Sequence, residues 1–279
     1  MTHPSSSPEC DAVVVNYNAG GLLSGCVASI LAAGAARVVV VDNASRDASL
    51  AELARTVPAE RVSVIRNASN LGFAKACNAG LAATSAPMIL FLNPDSVLDP
   101  GALRRLAAAL GADPRAGMAG GFVVNPDGTE QPGGRRDFPT PGKAFVKAFG
   151  LSGFLRDFQR HQDPLPHATV EVQAVSGSCM LVKREAVEDV GAWDEGYFLH
   201  CEDLDWCMRF HLKGWKVLFV PDAPVTHVKG ACGEGLRLFV EWHKHKGMVR
   251  FYRKFYRDRY PRALWGLVVA GVRLRFAAL

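Results

Sequence analysis

Three carboxylates, Glu202, Asp203 and Asp205, fall within four positions of the run FLHCEDLDWCMRF (198–210), where most other side chains are large and apolar. Charge is expensive in such surroundings, so acids held there point to proton transfer or to binding a cation. On a helix over 201–214 ending at Gly214, Asp203, Trp206, Cys207 and Phe210 share one inward stripe. Glu202, Asp205 and Arg209 share the neighbouring face. Burial raises a carboxyl pKa while a helix N-terminus favours the charged form, so Asp203 is expected to be an ionised base. Asp205 is expected to pair with Arg209 and hold the helix in place. Asp95, in LFLNPDS at the tip of an apolar run, is placed to hold a divalent cation that bridges phosphate oxygens. His227, in PVTHVKG, is a second candidate ligand, though an isolated histidine is as readily structural.

These groups need a scaffold. DAVVVNY (11–17), RVVVVDN (37–43), RVSVIRN (61–67) and PMILFLN (87–93) are short apolar runs that each end in Asn or Asp, as strands buried on both faces do. Ala/Leu-rich stretches near 21–33, 47–56 and 73–84 supply crossover helices, giving an α/β layout with a parallel sheet. Ligands in such sheets bind at the carboxyl ends of the strands. Those ends carry Asn16, Tyr17, Asn18, Asp42, Asn43, Asn67, Asn70, Asn93 and Asp95. Turn formation and helix capping explain Ser45, Asp47 and Asp99 equally well. Residues 184–190 are expected to be a short helix after a strand, and WKVLFVP another short strand with His227 beyond it.

The chain has 279 residues, 49% of them hydrophobic, and a formal charge of +5. Residues 229–279 hold twelve Lys or Arg against three Asp or Glu, leaving −4 on residues 1–228. A basic segment of this kind suits an anionic surface such as phospholipid, a lipid diphosphate or nucleic acid. The longest apolar run there, between Arg262 and Arg273, is ten residues, half of the roughly 20 a membrane-spanning helix needs. The basic aromatic tail is therefore read either as an amphipathic segment lying on a membrane or as a helix docked on the body. Seven cysteines without CxxC spacing, and no signal-peptide pattern, point to buried thiols in a reduced, cytoplasmic protein. Cys201, Cys207 and His211 are too dispersed on a helix for a zinc set.

Six segments in order, VVVNYN, VVVVDNASRD, NLGFAKACNAGL, FLNPDS, GSCMLVKREAVEDVGAWDEGYFLHCEDLDWCMRFHLKGWKVLFVP and VTHVKG, resemble the inverting family-2 glycosyltransferases of GT-A fold. The likeness is greatest to the bacterial rhamnosyltransferase-like branch that builds cell-surface polysaccharide, and it covers about residues 11–230. It implies a single GT-A domain over 11–230, with a mostly parallel central sheet, an acceptor-side insert at about 125–170, a flexible tail at 1–10 and a helical extension at 231–279. It further implies nucleoside contacts from Asn16, Tyr17, Asn18 and Asp42, and a ribose and diphosphate segment at Asn70, Gly72, Lys75 and Asn78. NPD stands at the family's DXD position, so Asn93 and Asp95 flank the donor and Asp95, with His227, would hold Mg²⁺ or Mn²⁺. Asp203 would be the general base, with Glu202 the next candidate.

Asn93 in place of the first Asp of DXD implies weaker metal binding, and Ala76 and Cys201 stand where relatives often have Gly. The expected reaction moves a sugar, rhamnose from thymidine diphosphate or a hexose such as galactofuranose from uridine diphosphate, to a glycan or polyprenyl-diphosphate-linked acceptor, at the inner membrane face and without nucleic acid. The alternative is an inactive nucleotide-sugar-binding or scaffold protein of the same fold. A nicotinamide oxidoreductase is disfavoured because the first turn, NYNAGG, lacks the GxGxxG spacing that lets a pyrophosphate approach the backbone.

Overall fold

A computed structural model describes residues 9–143, 159–228, 230 and 237–277. The expectations for residues 1–8, for the middle of the insert and for the start of the extension lie outside them. The strands are β1 (Cys10–Asn16), β2 (Arg37–Asp42), β3 (Val62–Arg66), β4 (Met88–Leu92), β5 (Ser96–Leu98), β6 (Ala116–Val124), β7 (Arg135–Arg136), β8 (Val170–Glu171), β9 (Ala174–Val175), β10 (Cys179–Lys183) and β11 (Lys216–His227). The helices are α1 (Leu22–Ala32), α2 (Ser49–Thr56), α3 (Phe73–Ala82), α4 (Ala102–Ala112), α5 (Arg184–Val190), α6 (Glu202–Leu212), α7 (Arg237–Phe255) and α8 (Arg262–Ala277).

Among the described residues the main sheet runs β3-β2-β1-β4-β10-β6-β11-β5, with β8 also on β11. The first four strands are parallel, as the apolar runs and crossover helices require. Beyond β4 the sheet is mixed: β10 is antiparallel to both β4 and β6, β11 is parallel to β6, and β5 is antiparallel to β11. All-parallel pairing is thus confined to the half built from residues 10–92, while β6 and β11 form a further parallel pair in the mixed half. In the other half β10 and β11 are entered from the irregular insert, which frees them from the βαβ rule.

Side chains alternate across the sheet with period two, and both faces are dry except at β3, the edge strand, where no residue is buried and the expected burial on both faces fails. Val13, Val15, Val39, Val41, Ile89 and Phe91 point to a core shared with α3, α5, α6 and α7. Ala12, Val14, Val38, Val40, Leu90 and Leu92 point to a second core under α1, α2 and α4. In the first core Trp206 lies against Trp193 with ring centroids 4.1 Å apart and edge-on to Phe91 at 5.5 Å, so α6 is seated on β4 by aromatic packing. Phe251 and Tyr252 of α7, and Tyr256 just after it, are buried in that same core.

Candidate active site

Asp95 and His227 are 132 positions apart in sequence and meet because of strand register. β5 pairs antiparallel with the end of β11, setting Ser96 opposite His227, and the Val228 amide donates to the Asp95 carbonyl at 2.9 Å. His227 Nε2 then lies 3.1 Å from Asp95 Oδ1, both side chains largely buried. His227 is the last residue of β11 rather than a residue beyond a short strand, because β11 continues through an irregularity between Val220 and Pro224. On its other side the ring faces Gln131: Nδ1 is 2.8 Å from Oε1, and Gln131 Nε2 donates to the His227 carbonyl at 2.7 Å.

A carboxylate oxygen and an imidazole nitrogen at this spacing form a donor set suited to Mg²⁺ or Mn²⁺. Among the described residues no cluster of three or more His, Cys, Asp or Glu surrounds them. Two protein ligands, with phosphate oxygens and water completing the shell, is the usual way such a cation is held beside a nucleotide. The residues therefore fit the group.

Asp203 sits in the first turn of α6, and both oxygens of its carboxylate accept hydrogen bonds. Oδ1 accepts from the Leu204 amide at 2.8 Å, while Oδ2 accepts from the Gly177 amide at 3.2 Å and from the Arg136 guanidinium. Burial would raise this carboxyl, but the Arg136 charge and hydrogen bond, with the two amides, outweigh it and hold the pKa below the ordinary value. The neighbouring Glu202 behaves oppositely. Burial, reinforced by the charge on Asp203, pushes it up to about 8, so at neutral pH it carries its proton. Its Oε2 has no hydrogen-bond partner among the described residues.

The loop before β10 joins the two centres. Gly177 donates to Asp203, and the carbonyl of the next residue, Ser178, accepts from the Asn93 amide at 3.0 Å. The base candidate is thereby tied through backbone to the NPD turn that carries Asp95. A second tie runs through Gly72, where φ is +87° and an added Cβ would lie 2.7 Å from the Phe198 carbonyl. The Phe73 amide donates to that carbonyl at 2.8 Å, so the start of α3 abuts the segment leading into α6.

Other expected donor contacts fall in different places. Asn16 is fully buried, and its amide donates to Asp42 Oδ1 (2.8 Å), Ser45 Oγ (3.0 Å) and Ser49 Oγ (2.9 Å), which places it behind the pocket wall as a support for Asp42. Asn18, at φ +52°, accepts from the Arg46 amide, and Tyr17 is half-buried beside it. Asp42 accepts from Asn16 and from the Ser45 amide, which leaves lone pairs on both oxygens for a ligand. Asn70 closes a local turn onto the Gly72 amide, and Lys75 is exposed. The Asn78 side chain is committed to Trp193, bonding both its amide and its carbonyl at 3.0 Å, so it braces the aromatic stack and not a diphosphate. Asn93 is half-buried at the β4 tip.

Asp205 does pair with Arg209, at 2.7 Å, yet it is more deeply buried than Asp203 and is also bonded by Tyr197 and by Lys254 of α7. The single inward stripe expected for α6 is in fact two buried faces, because α7 covers the second. The backbone enters α6 through His200 at φ +67° and Cys201 at φ +70°, a region costly for residues with a Cβ. His211 faces the Val172 and Gln173 carbonyls, and Cys201 and Cys207 are free buried thiols, so the three share no site. Sequence reasoning missed Gln131, Arg136 and Gly177. The first two lie in QPGGRR, whose glycines and proline identify a turn and conceal the buried polar pair on either side.

A family model described as "Glycosyltransferase like family 2" matches residues 8–238. The N-acetylglucosaminyl-diphospho-decaprenol L-rhamnosyltransferase of Mycobacterium tuberculosis (strain ATCC 25618 / H37Rv) is 30% identical over 238 residues, 78% of this chain and 75% of that protein. The dTDP-rhamnosyl transferase RfbF of Shigella flexneri is 27% identical over 250 residues, 87% of this chain and 76% of the relative. Among solved structures, GalNAc-T7 with UDP, GalNAc and Mn²⁺ superposes with a TM-score of 0.64 at 17% identity, over 90% of this chain and about half (48%) of its own. The mannosyltransferase PcManGT from Pyrobaculum calidifontis, in complex with GDP-Man and Mn²⁺, gives 0.62 at 17% identity, over 96% of this chain and 70% of its own.

Proposed function

The chain belongs to glycosyltransferase family 2, and on that footing we propose that it is an inverting rhamnosyltransferase, moving rhamnose from thymidine diphosphate to a hydroxyl of a polyprenyl-diphosphate-linked sugar. The observation that carries this reading is the tie between Asp203 and the NPD turn through Gly177 and Ser178. It would set an ionised carboxylate beside the strand tip where a sugar diphosphate would be gripped.

In the proposed reaction the acceptor hydroxyl oxygen bonds to the anomeric carbon from the face opposite the diphosphate. The carbon–oxygen bond to phosphate breaks and its electrons leave with the nucleoside diphosphate. The hydroxyl proton passes to Asp203. A carboxylate whose pKa is depressed is a weak base toward a free alcohol, but the hydroxyl acidifies steeply as its oxygen bonds to carbon, so the transfer is late and downhill. Glu202 holds its own proton at neutral pH and is unsuited to the task. Asp95 and His227 would hold the divalent cation, which when bound supplies charge neutralisation to the departing phosphates. Asp42, braced by Asn16, would meet the pyrimidine, with Tyr17 and Asn18 beside it. Asn70, Gly72 and Lys75 would line the way to the diphosphate.

The C-terminal helices supply a second element of the proposal. Leu238, Phe239 and Trp242 on α7, and Leu267 and Leu274 on α8, are exposed apolar residues among basic neighbours. Among the described residues no helix is long and apolar enough to cross a membrane. A surface of this composition would rest on an anionic bilayer where a lipid-linked acceptor is presented.

The test is incubation with dTDP-rhamnose and a polyprenyl-diphospho-GlcNAc acceptor in Mn²⁺, scored for dTDP release and for the anomeric configuration of the product. Inverted product supports the proposal; hydrolysis without transfer, or turnover only with a different donor, overturns the assigned substrates. Retention of configuration overturns the mechanism.

A further inference from the structure

We propose that Gln131 is a positioning residue for His227, fixing the imidazole in the tautomer whose Nε2 is a bare lone pair turned toward Asp95. The inference rests on the reading of Asp95 and His227 as cation ligands and adds a residue outside that pair.

Gln131 is 4% exposed and can turn its amide only one way. Its Nε2 is the group 2.7 Å from the His227 carbonyl, an acceptor, so the nitrogen must face the backbone and Oε1 must face the ring. Oε1 lies 2.8 Å from Nδ1, and an amide oxygen accepts only, so Nδ1 carries the hydrogen. A neutral imidazole has one N–H. In that neutral form, the one that can bind a cation, Nε2 is the acceptor, and it lies 3.1 Å from the Asp95 carboxylate oxygen. An imidazole nitrogen and a carboxylate oxygen turned to one point are the donors a divalent cation takes. The hydrogen bond at Nδ1 also raises the basicity of Nε2.

Gln131 is itself held from the backbone. Its amide donates to the Val123 carbonyl at 2.9 Å, and its carbonyl accepts from Gly134 at 3.1 Å. On the flanking residues, Glu130 and Arg135 form a two-pronged ion pair at 2.7 and 3.0 Å, with Arg135 buried. A side chain carried on such a support loses little freedom when it orients a ligand. Arg136, five positions on, does the corresponding work for Asp203, so one short strap steadies both the cation ligand and the base.

The experiment uses the full chain, stripped of metal and labelled with ¹⁵N. Long-range imidazole correlations should show His227 with a protonated Nδ1 and a bare Nε2; a hydrogen on Nε2 overturns the proposal. Mn²⁺ binding is then followed by electron paramagnetic resonance, with the metal alone and with dTDP. Gln131→Leu should weaken Mn²⁺ roughly 10- to 100-fold, the usual effect of losing such a partner. Gln131→Glu keeps an acceptor at Nδ1 and should restore affinity to within a few-fold. Wild-type affinity in Gln131→Leu, or equal loss in both variants with unchanged folded spectra, overturns it. His227→Ala and Asp95→Ala run in parallel: if neither weakens Mn²⁺, the cation reading fails separately, and the tautomer result alone decides the role of Gln131.

Discussion

Arg136 and Asp203, sixty-seven residues apart, are joined in one ion pair, and through it the turn-rich insert reaches the first turn of α6. Arg136 also donates to the Val175 carbonyl at 3.0 Å, so the guanidinium is fixed by the body before it meets the carboxylate. A carboxylate held in this way is favoured in its ionised form and keeps one orientation.

Removing the guanidinium should therefore move a titration. In Arg136→Met the Asp203 carboxyl loses its largest lowering influence and burial takes over, so its pKa rises. The acid limb of the kcat/KM profile is expected to shift to higher pH, with Arg136→Lys falling between. An unmoved limb would separate Arg136 from the base.

Substitution at the two adjacent acids should split. Asp203→Asn is expected to lose about 10²- to 10⁴-fold in kcat with donor affinity retained. Glu202→Gln replaces a protonated acid by its neutral isostere, so at pH 7 transfer should persist within a few-fold. Rates measured beside calorimetric donor binding check both.

Glu202 also sets a pH dependence of stability. The folded chain keeps its proton up to about pH 8, whereas the ordinary value of 4.5 applies once unfolded, so between these limits the folded state binds the extra proton. Its contribution is then fully favourable below about 4.5, declines as pH rises toward 8, and is lost above. Glu202→Gln removes the effect. Its Tm should match that of the wild type below about pH 4.5 and exceed it increasingly up to pH 8.

Two helical glycines should respond in opposite senses to alanine. At Gly247 in α7 an added Cβ would lie 2.7 Å from the His200 carbonyl and 3.2 Å from Cys201 Cβ. Overpacking of that kind costs about 1–3 kcal/mol and exceeds the gain of up to about 1 kcal/mol in helix propensity, so Tm should fall. Gly266 in α8 has nothing within 4 Å of the same added atom, and there the propensity gain should raise Tm. Thermal melts of the two variants make the comparison.

Arg209→Met would leave Asp205, which is fully buried, with Lys254 as its remaining cation. Loss of one partner from a buried pair is worth about 3–5 kcal/mol, and the surviving Lys254 should hold the effect toward the lower figure. Urea unfolding gives the value.

Much of this fold was legible because it is written in local periodicities. The four apolar runs and their crossover helices follow from side-chain alternation, and α6 from its stripe of Trp206, Cys207 and Phe210. The mixed half of the sheet was not, since antiparallel pairing of β10 with β4 depends on how an irregular insert returns, which carries no period. The site divides in the same way. Asp95 and Asp203 stand out because acids interrupt apolar sequence, whereas Gln131 and Arg136 are ordinary turn neighbours until the chain brings them to His227 and Asp203. Asn16 and Asn78 show the converse, polar residues in the right order whose hydrogen bonds turn out to be internal.

Lys254 lies 2.7 Å from both Asp194 and Asp205, so α7 supplies countercharge to two acids of the body made long before it. During synthesis the strands from Cys10 to Leu92 can pair while the ribosome is still working. The helix bearing Asp203 and Asp205 has to wait with a buried carboxylate short of a cation until residue 254 clears the exit tunnel. Final packing around α6 therefore follows the pairing of the strands from Cys10 to Leu92 rather than accompanying it.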